Sequence, residues 1–552
     1  MSKKLTLLSL LSVCFLIQIQ AQDGPPANWF NLDNEMDGIH GVSTEKTYEK
    51  LLKGKSSRTV VVAVIDSGVD AEHEDLDDVM WVNADEIPGN GIDDDNNGYV
   101  DDIHGWNFIG GADGSNVGPD TYEVTRVYKK LKYKFENGAD PDKMTKSTLA
   151  EYERYLKVKE EVEGKLASAE KNIERFKERE TVLLESLDAL KMVVGKGEMT
   201  DALLDSLSKT NDTKFVTAAN IANSLKGEVS SIDEMKEVIK SQLQGAFDFY
   251  GNQVKYAYNT DFDSRKIIGD NYADQYEKGY GNSDVEGPDA LHGTHVAGII
   301  GAERDNGVGM NGVANNVRIM SIRTVPDGDE RDKDVANAII YAVDNGAQVV
   351  NMSFGKGYSW KEEVVEKAIK YAEKNDVLLV HAAGNSSQDN DTTDNFPNDN
   401  YTKKVLFWKK DKEFKNWIEV GALNWKDGED AVAPFSNYGK NNVDVFAPGM
   451  AIYATIPDNE YTNLQGTSMA SPVVAGVAAM IRSYYPSLTA EQVKDIILQS
   501  SNKRQIKVKK PGTDEVVDFS SLSVSGGAIN AYKALELASK TKGKKKLPNI
   551  KA

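Results

Sequence analysis

Five short runs of apolar, largely β-branched residues recur along the chain: TVVVAVID (59–66), VRIMSIRTV (317–325), AQVVNMSFG (347–355), VLLVHAAGN (377–385) and VDVFAPG (443–449). A strand that is apolar at nearly every position has no solvated face, so these runs predict a parallel sheet covered on both sides. Between them lie amphipathic patterns that predict helices over Lys333–Asn345 and Trp360–Asn375, the second with Val364, Val365, Ala368, Ile369 and Ala372 on one face. The expected class is α/β with a doubly wound parallel sheet, an architecture that binds ligands beyond the carboxyl ends of its strands.

One long segment breaks this alternation. From about 113 to 259 the strand signal vanishes, and Val162, Leu166, Ala169, Ile173, Phe176, Leu183, Leu187, Leu190 and Val194 follow steps of three and four, interrupted at Glu180. That spacing predicts an inserted α-helical subdomain, a coiled coil or helical hairpin. VVGKGEMT (193–200) reads as the break between helices, and Ile221, Leu225, Val229, Ile232, Met235 and Ile239 as a partner face. Further on, SLTAEQVKDIILQSS predicts a capped helix from Ser487 or Thr489.

The composition narrows what such a fold can do. A formal net charge of -21, from 86 acidic and 65 basic residues, repels polyanions, so no nucleic-acid partner is expected. The first 21 residues combine two lysines, an apolar stretch too short to span a bilayer, and Ala21, the pattern of a secretory signal peptide. A secreted or periplasmic protein with no stable membrane anchor after cleavage is therefore expected. Cleavage would also remove Cys14, the single cysteine, and with it any disulfide or thiol nucleophile. Residues 541–552 form a basic tail that reads as a solvated, disordered end.

Three apolar segments end in residues capable of chemistry. Asp66 closes the first run, in VIDSGVD, where a carboxylate needs partners to offset its desolvation. Asn385 follows VHAAG, a place for either a turn or an oxyanion donor. Ser468, in QGTSMASPVVAGVAAMI, stands where a helix cap is also ordinary. Two of the chain's six histidines, His292 and His295, head the run DALHGTHVAGII. A serine hydroxyl becomes a nucleophile only with an adjacent imidazole base, itself oriented by a buried carboxylate. Aspartate, histidine and serine occur here in that chain order.

VIDSGVD, HGTHVAG, AAGN and GTSMASP together resemble the subtilase family of serine endopeptidases, over about residues 25–112 and 260–538. The resemblance implies the subtilisin type of sheet, no catalytic cofactor and polypeptide substrates. It makes Asp66 the orienting carboxylate, His292 the general base, Ser468 the nucleophile and Asn385 an oxyanion donor, with His295 turned into the helix packing. It implies one substrate edge at Ser353, Phe354 and Gly355, a primary pocket walled by these with Ala382, Ala383 and Gly384, and an opposite edge at VPDGDERDKD (325–334), whose charge would favour basic residues upstream of the cut.

Asp93, Asp95 and Asn97 at alternate positions, then Gly98, the Tyr99 carbonyl, Asp101 and Asp102, repeat the start of an EF-hand-like calcium loop, with His104 in place of the usual glutamate. A structural calcium ion is expected there. The domain plan is then 1–21 signal peptide, 22–112 and 260–540 catalytic domain, 113–259 helical insertion and 541–552 tail. The insertion separates Asp66 from His292, so its ends must meet near the active-site face, as a lid, substrate gate or docking arm for a protein partner. No separate folding-assistant domain is expected between Gln22 and Thr59. The competing class is a scaffold that has lost catalysis, which the intact Asp, His, Ser and Asn set argues against.

Overall fold

The computed structural model describes residues 24–195, 197–405 and 408–545, leaving out the side chains of 402–411. The signal-peptide segment and the tail beyond 545 lie outside the described residues. Seven strands, β1 (Val60–Asp66), β2 (Gly105–Asn107), β3 (Val317–Arg323), β4 (Val349–Met352), β5 (Leu378–Ala382), β6 (Trp417–Leu423) and β7 (Val445–Pro448), form one parallel sheet. Their order is β2-β3-β1-β4-β5-β6-β7. From β1 the chain builds outward on both sides, so the topological switch lies beside it, and Asp66 is its last residue.

The insertion is helical as expected, with later and tighter boundaries. Residues 113–121 belong to the catalytic body, where Val117 N–H donates to Ile109 at 2.9 Å and Asp120 N–H to Asp327 at 3.0 Å. The excursion starts at α1 (Glu123–Phe135), continues through α2 (Lys146–Val194), α3 (Asp201–Ser208), α4 (Thr213–Ser224) and α5 (Ile232–Asn252), and returns at Ala257, whose carbonyl accepts from Tyr122 N–H at 3.0 Å. Thr145 caps α2, and its 49 residues make a rod of about 74 Å. The rod carries two small cores. Val158 and Val162 pack with Val127, Tyr128 and Leu131 of α1, while Leu187 and Leu190 pack with Leu204, Ala219, Ile221, Met235 and Ile239 of α3–α5.

The sheet is covered by α6 (Leu291–Gly301) and α9 (Thr467–Tyr484) on one face and by α7 (Asp332–Asp344) and α8 (Glu362–Lys374) on the other. After these come α10 (Ala490–Ser500), with a capping box between Thr489 and Gln492, and α11 (Ala531–Lys540). The start of the basic tail is docked rather than solvated: Lys545 N–H donates to the Ser487 carbonyl at 2.9 Å and its Nζ lies 3.0 Å from Asp376. Among the described residues no helix is long and apolar enough to cross a membrane.

Candidate active site

Asp66 is 2% exposed, and its Oδ1 accepts from Ser67 N–H at 2.8 Å and lies 2.7 Å from His292 Nδ1. A carboxylate offers only acceptors there, so Nδ1 carries the proton and Nε2 keeps a free lone pair. Burial disfavours the imidazolium, but the Asp66 charge beside it prevails and raises the His292 pKa above its ordinary 6.5. The helix reaches this close because the next residue is glycine. A Cβ on Gly293 would stand 2.0 Å from the Gly68 carbonyl and 3.2 Å from the Asp66 side chain.

His295, a turn later, has a different environment. It is fully buried, and its Nε2 donates to the carbonyls of Ile452 and Thr462 at 3.1 and 3.2 Å, across the hairpin 452–464. Burial lowers its pKa to about 4, so it stays neutral and packs.

Ser468 is the second residue of α9, after Gly466 at φ 156°. Helices α6 and α9 pack against each other, which brings the histidine and serine motifs to one end of the sheet. Ser468 Oγ donates to the Ser353 carbonyl at 3.1 Å, and Ser353 Oγ donates back to the Ser468 carbonyl at 2.9 Å. Among the described residues no hydrogen bond joins Ser468 Oγ to His292. Asn385 Oδ1 accepts from Thr467 N–H at 2.8 Å and from Thr467 Oγ1 at 3.0 Å. That fixes the amide orientation and leaves Nδ2, beside Gly466, as the outward donor.

The remaining predicted cleft residues separate into open and covered ones. Gly355 and Asn385 are exposed and Gly384 half-buried, whereas Ala382 and Ala383 are buried behind them. Asn395, which carried no sequence signal, lies between the edges: its Nδ2 donates to the Ala383 carbonyl at 3.2 Å, and its Oδ1 is 2.7 Å from where a Cβ on Gly355 would stand. Much of the charge on the acidic loop 325–334 is paired or buried, although Asp327 is exposed and Asp329 half-buried. Asp332 pairs with Lys356 at 2.7 Å, Asp334 with Arg265 at 2.6 Å, and Glu330 is 2% exposed.

The candidate calcium loop is also regrouped. Asp93 accepts from the backbone of Asn97 and Gly98, and Asp101 from that of Asn90 and Gly91, so both serve the turn. Asn97 donates to Asp95 and Asp102, and the Tyr99 N–H is held by Asn97. Carboxylate oxygens of Asp95 and Asp102 instead converge with Glu86, all within 4.8 Å of one another. Glu86 lies outside the alternate spacing and was invisible to it. Burial pushes Asp102 up to about 6, with the neighbouring Asp95 charge adding to the rise.

A doubly wound sheet with an aspartate at its switch point, an imidazole on that aspartate and a serine at the facing helix start defines the class of serine-type peptidases. Residues 57–519 match the subtilase family, and the chain belongs to it. It is 36% identical over 245 residues to thermophilic serine proteinase of Bacillus sp. (strain AK1), covering 44% of this chain and 52% of that one. It is 39% identical over 208 residues to subtilisin DY of Bacillus licheniformis (37% and 68%) and 32% identical over 246 residues to thermitase of Thermoactinomyces vulgaris (44% and 75%). The chain thus spans about half the length of the first of these relatives.

Proposed function

We propose that this chain is an exported serine endopeptidase that cuts polypeptides through Asp66, His292 and Ser468. The observation that carries the reading is the 2.7 Å contact between Asp66 Oδ1 and His292 Nδ1, which leaves Nε2 basic on the side of α9. Attack begins when Ser468 Oγ leaves the Ser353 carbonyl for His292 Nε2. Nε2 takes the hydroxyl proton as Oγ bonds to the scissile carbonyl carbon, and Asp66 stabilises the imidazolium that forms. Asn385 Nδ2 and the Ser468 N–H donate to the carbonyl oxygen as it gains charge. The imidazolium then protonates the leaving amine, and water, deprotonated by the same nitrogen, releases the acyl group.

Glu86, Asp95 and Asp102 fit a hard cation, since three converging carboxylates call for positive charge. Calcium bound there would be structural, holding the loop 83–102 and taking no part in the chemistry. The signal-peptide pattern supports export. Labelling with a fluorophosphonate tests the central claim: the wild-type chain should be labelled and Ser468→Ala should not. Equal labelling of both would overturn it.

A further inference from the structure

The cleft has two flanking edges, Ser353–Gly355 and the 325–330 loop, and the structure joins them at one end. Among the described residues no hydrogen bond reaches the backbone of Phe354 or Gly355, so that edge is free to pair with an extended chain. At Lys356 the freedom stops, because its N–H and C=O are both bonded to Phe396, at 3.0 and 2.8 Å. Its buried side chain crosses to the opposite edge, where Nζ donates to the Glu330 carbonyl at 2.7 Å and pairs with Asp332 at 2.7 Å and Glu123 at 3.5 Å.

The helical insertion completes this wall. Arg126 Nη2 donates to the carbonyls of both Asp329 and Glu330 at 3.0 Å, and Glu123 N–H donates to the Asp329 carboxylate at 2.7 Å. The carbonyls that a substrate strand would use on this edge are thereby occupied. Above them, Lys130 lies 3.9 Å over the Trp360 ring and Tyr358 donates to Glu161 at 2.7 Å, so α1 and α2 roof the same end.

The wall also holds more carboxyl groups than cations. Glu123, Asp329, Glu330 and Asp332 face Arg126 and Lys356, while Arg331 is held by Asp120 at 2.8 and 2.9 Å. Glu330 Oε1 is buried without a partner among the described residues. Burial pushes the Glu330 carboxyl up to about 7, and a nearby cation would return it to the ionised form.

We propose that the root of the insertion closes the acyl-side end of the cleft, so that substrates are peptides with a free N-terminus about three residues before the scissile bond, as the ~10 Å from Ser353 to Lys356 at ~3.3 Å per residue allows. The α-ammonium of such a peptide meets this carboxyl-rich wall at the half-buried Asp329, whereas a longer or acetylated chain meets occupied carbonyls and a cationic bridge. The inference rests on Ser468 as nucleophile and, within that peptidase reading, moves the preferred cut from the interior of long chains to about three residues from a free N-terminus.

The test is a set of fluorogenic amides of the wild-type enzyme's preferred terminal residue, extended upstream from one to about six residues, with free or acetylated N-termini. We expect kcat/KM to peak at about three residues with a free amine and to fall about tenfold or more on further extension or on acetylation. A kcat/KM that keeps rising to five or six residues, indifferent to acetylation, would overturn the wall while leaving the peptidase intact. Absence of both turnover and fluorophosphonate labelling would sink the peptidase reading and this one with it. Lys356→Met, checked for folding by the same label, should raise the ratio of long to short substrate turnover; if it fails to fold, the wild-type series still decides.

Discussion

At His292 two opposed effects set the proton affinity: burial, which disfavours the imidazolium, and the Asp66 carboxylate 2.7 Å away, which favours it and prevails. The proposed mechanism uses the neutral ring, so a raised pKa would move the acid limb of activity upward. The profile of kcat/KM against pH should therefore rise through a midpoint above 6.5 and be flat beyond it. Asp66→Asn removes the charge that raises the pKa and the acceptor that fixes the tautomer, so the limb should move to lower pH and the rate fall by about 10⁴-fold. A midpoint unchanged by Asp66→Asn would show that the pair does not set the base. Asn385 gives an independent check, because only its Nδ2 is free to donate. Asn385→Asp keeps the Oδ1 contacts to Thr467 and loses the donor, so kcat should drop by about 100- to 1,000-fold with KM little altered, a magnitude itself measured in a subtilisin. Equal kinetics in the two proteins would exclude Asn385 from the oxyanion site.

At the scale of elements, the insertion behaves as a rod with one core at its root and another at its tip. Leu190 is fully buried in the distal core and touches nothing in the catalytic body. Leu190→Ala should cost about 2–5 kcal/mol of local stability through the cavity it leaves. Hydrogen exchange should quicken across 176–243 while fluorophosphonate labelling of Ser468 stays at the wild-type rate; slowed labelling would mean that the tip is coupled to the site. The same elements show what was readable in advance. The five apolar runs became strands because both faces of each are covered, and the three-four spacing of α2 became its seam because it alone lines up the residues that meet α4 and α5. Strand β6 carries no clear apolar run because Glu419 interrupts it, a carboxylate held by His381 at 3.0 Å, the Trp417 indole N–H at 2.9 Å and Asn395 Nδ2 at 3.4 Å. The three-residue β2 is too short to carry a period. Residues 113–121 were assigned to the insertion because their order comes from Ile109 and Asp327, partners distant from any local pattern. In the site, motifs gave Asp66, His292, Asn385 and Ser468, whereas Glu86, Arg126, Lys356 and Asn395 act through tertiary neighbours and have no spacing of their own.

For the whole molecule, the proposed calcium site would tie stability to an ion. Asp102 accepts from Tyr341 of α7 at 2.6 Å and from Asn83 at 2.7 Å, and the loop leads directly into β2 at the edge of the sheet that carries Asp66. Glu86, Asp95 and Asp102 bring three carboxyl groups together in a largely buried place, and a bound cation would offset their mutual repulsion. Binding to the native state alone adds about 2.7 kcal/mol when the free ion stands ~100-fold above its Kd. The expected result is that a chelator lowers the thermal midpoint, that calcium restores it, and that magnesium does so less well, because an irregular cage of carboxylates and carbonyls suits the larger ion. Asp102→Asn separates this from a general salt effect. That variant loses one of the two acceptor oxygens that serve Asn83 on one side and Tyr341 and Asn97 on the other, so it should start from a lower midpoint and respond weakly to chelation. A wild-type midpoint that is the same with and without chelator would leave the three carboxylates as a hydrogen-bonded turn and nothing more.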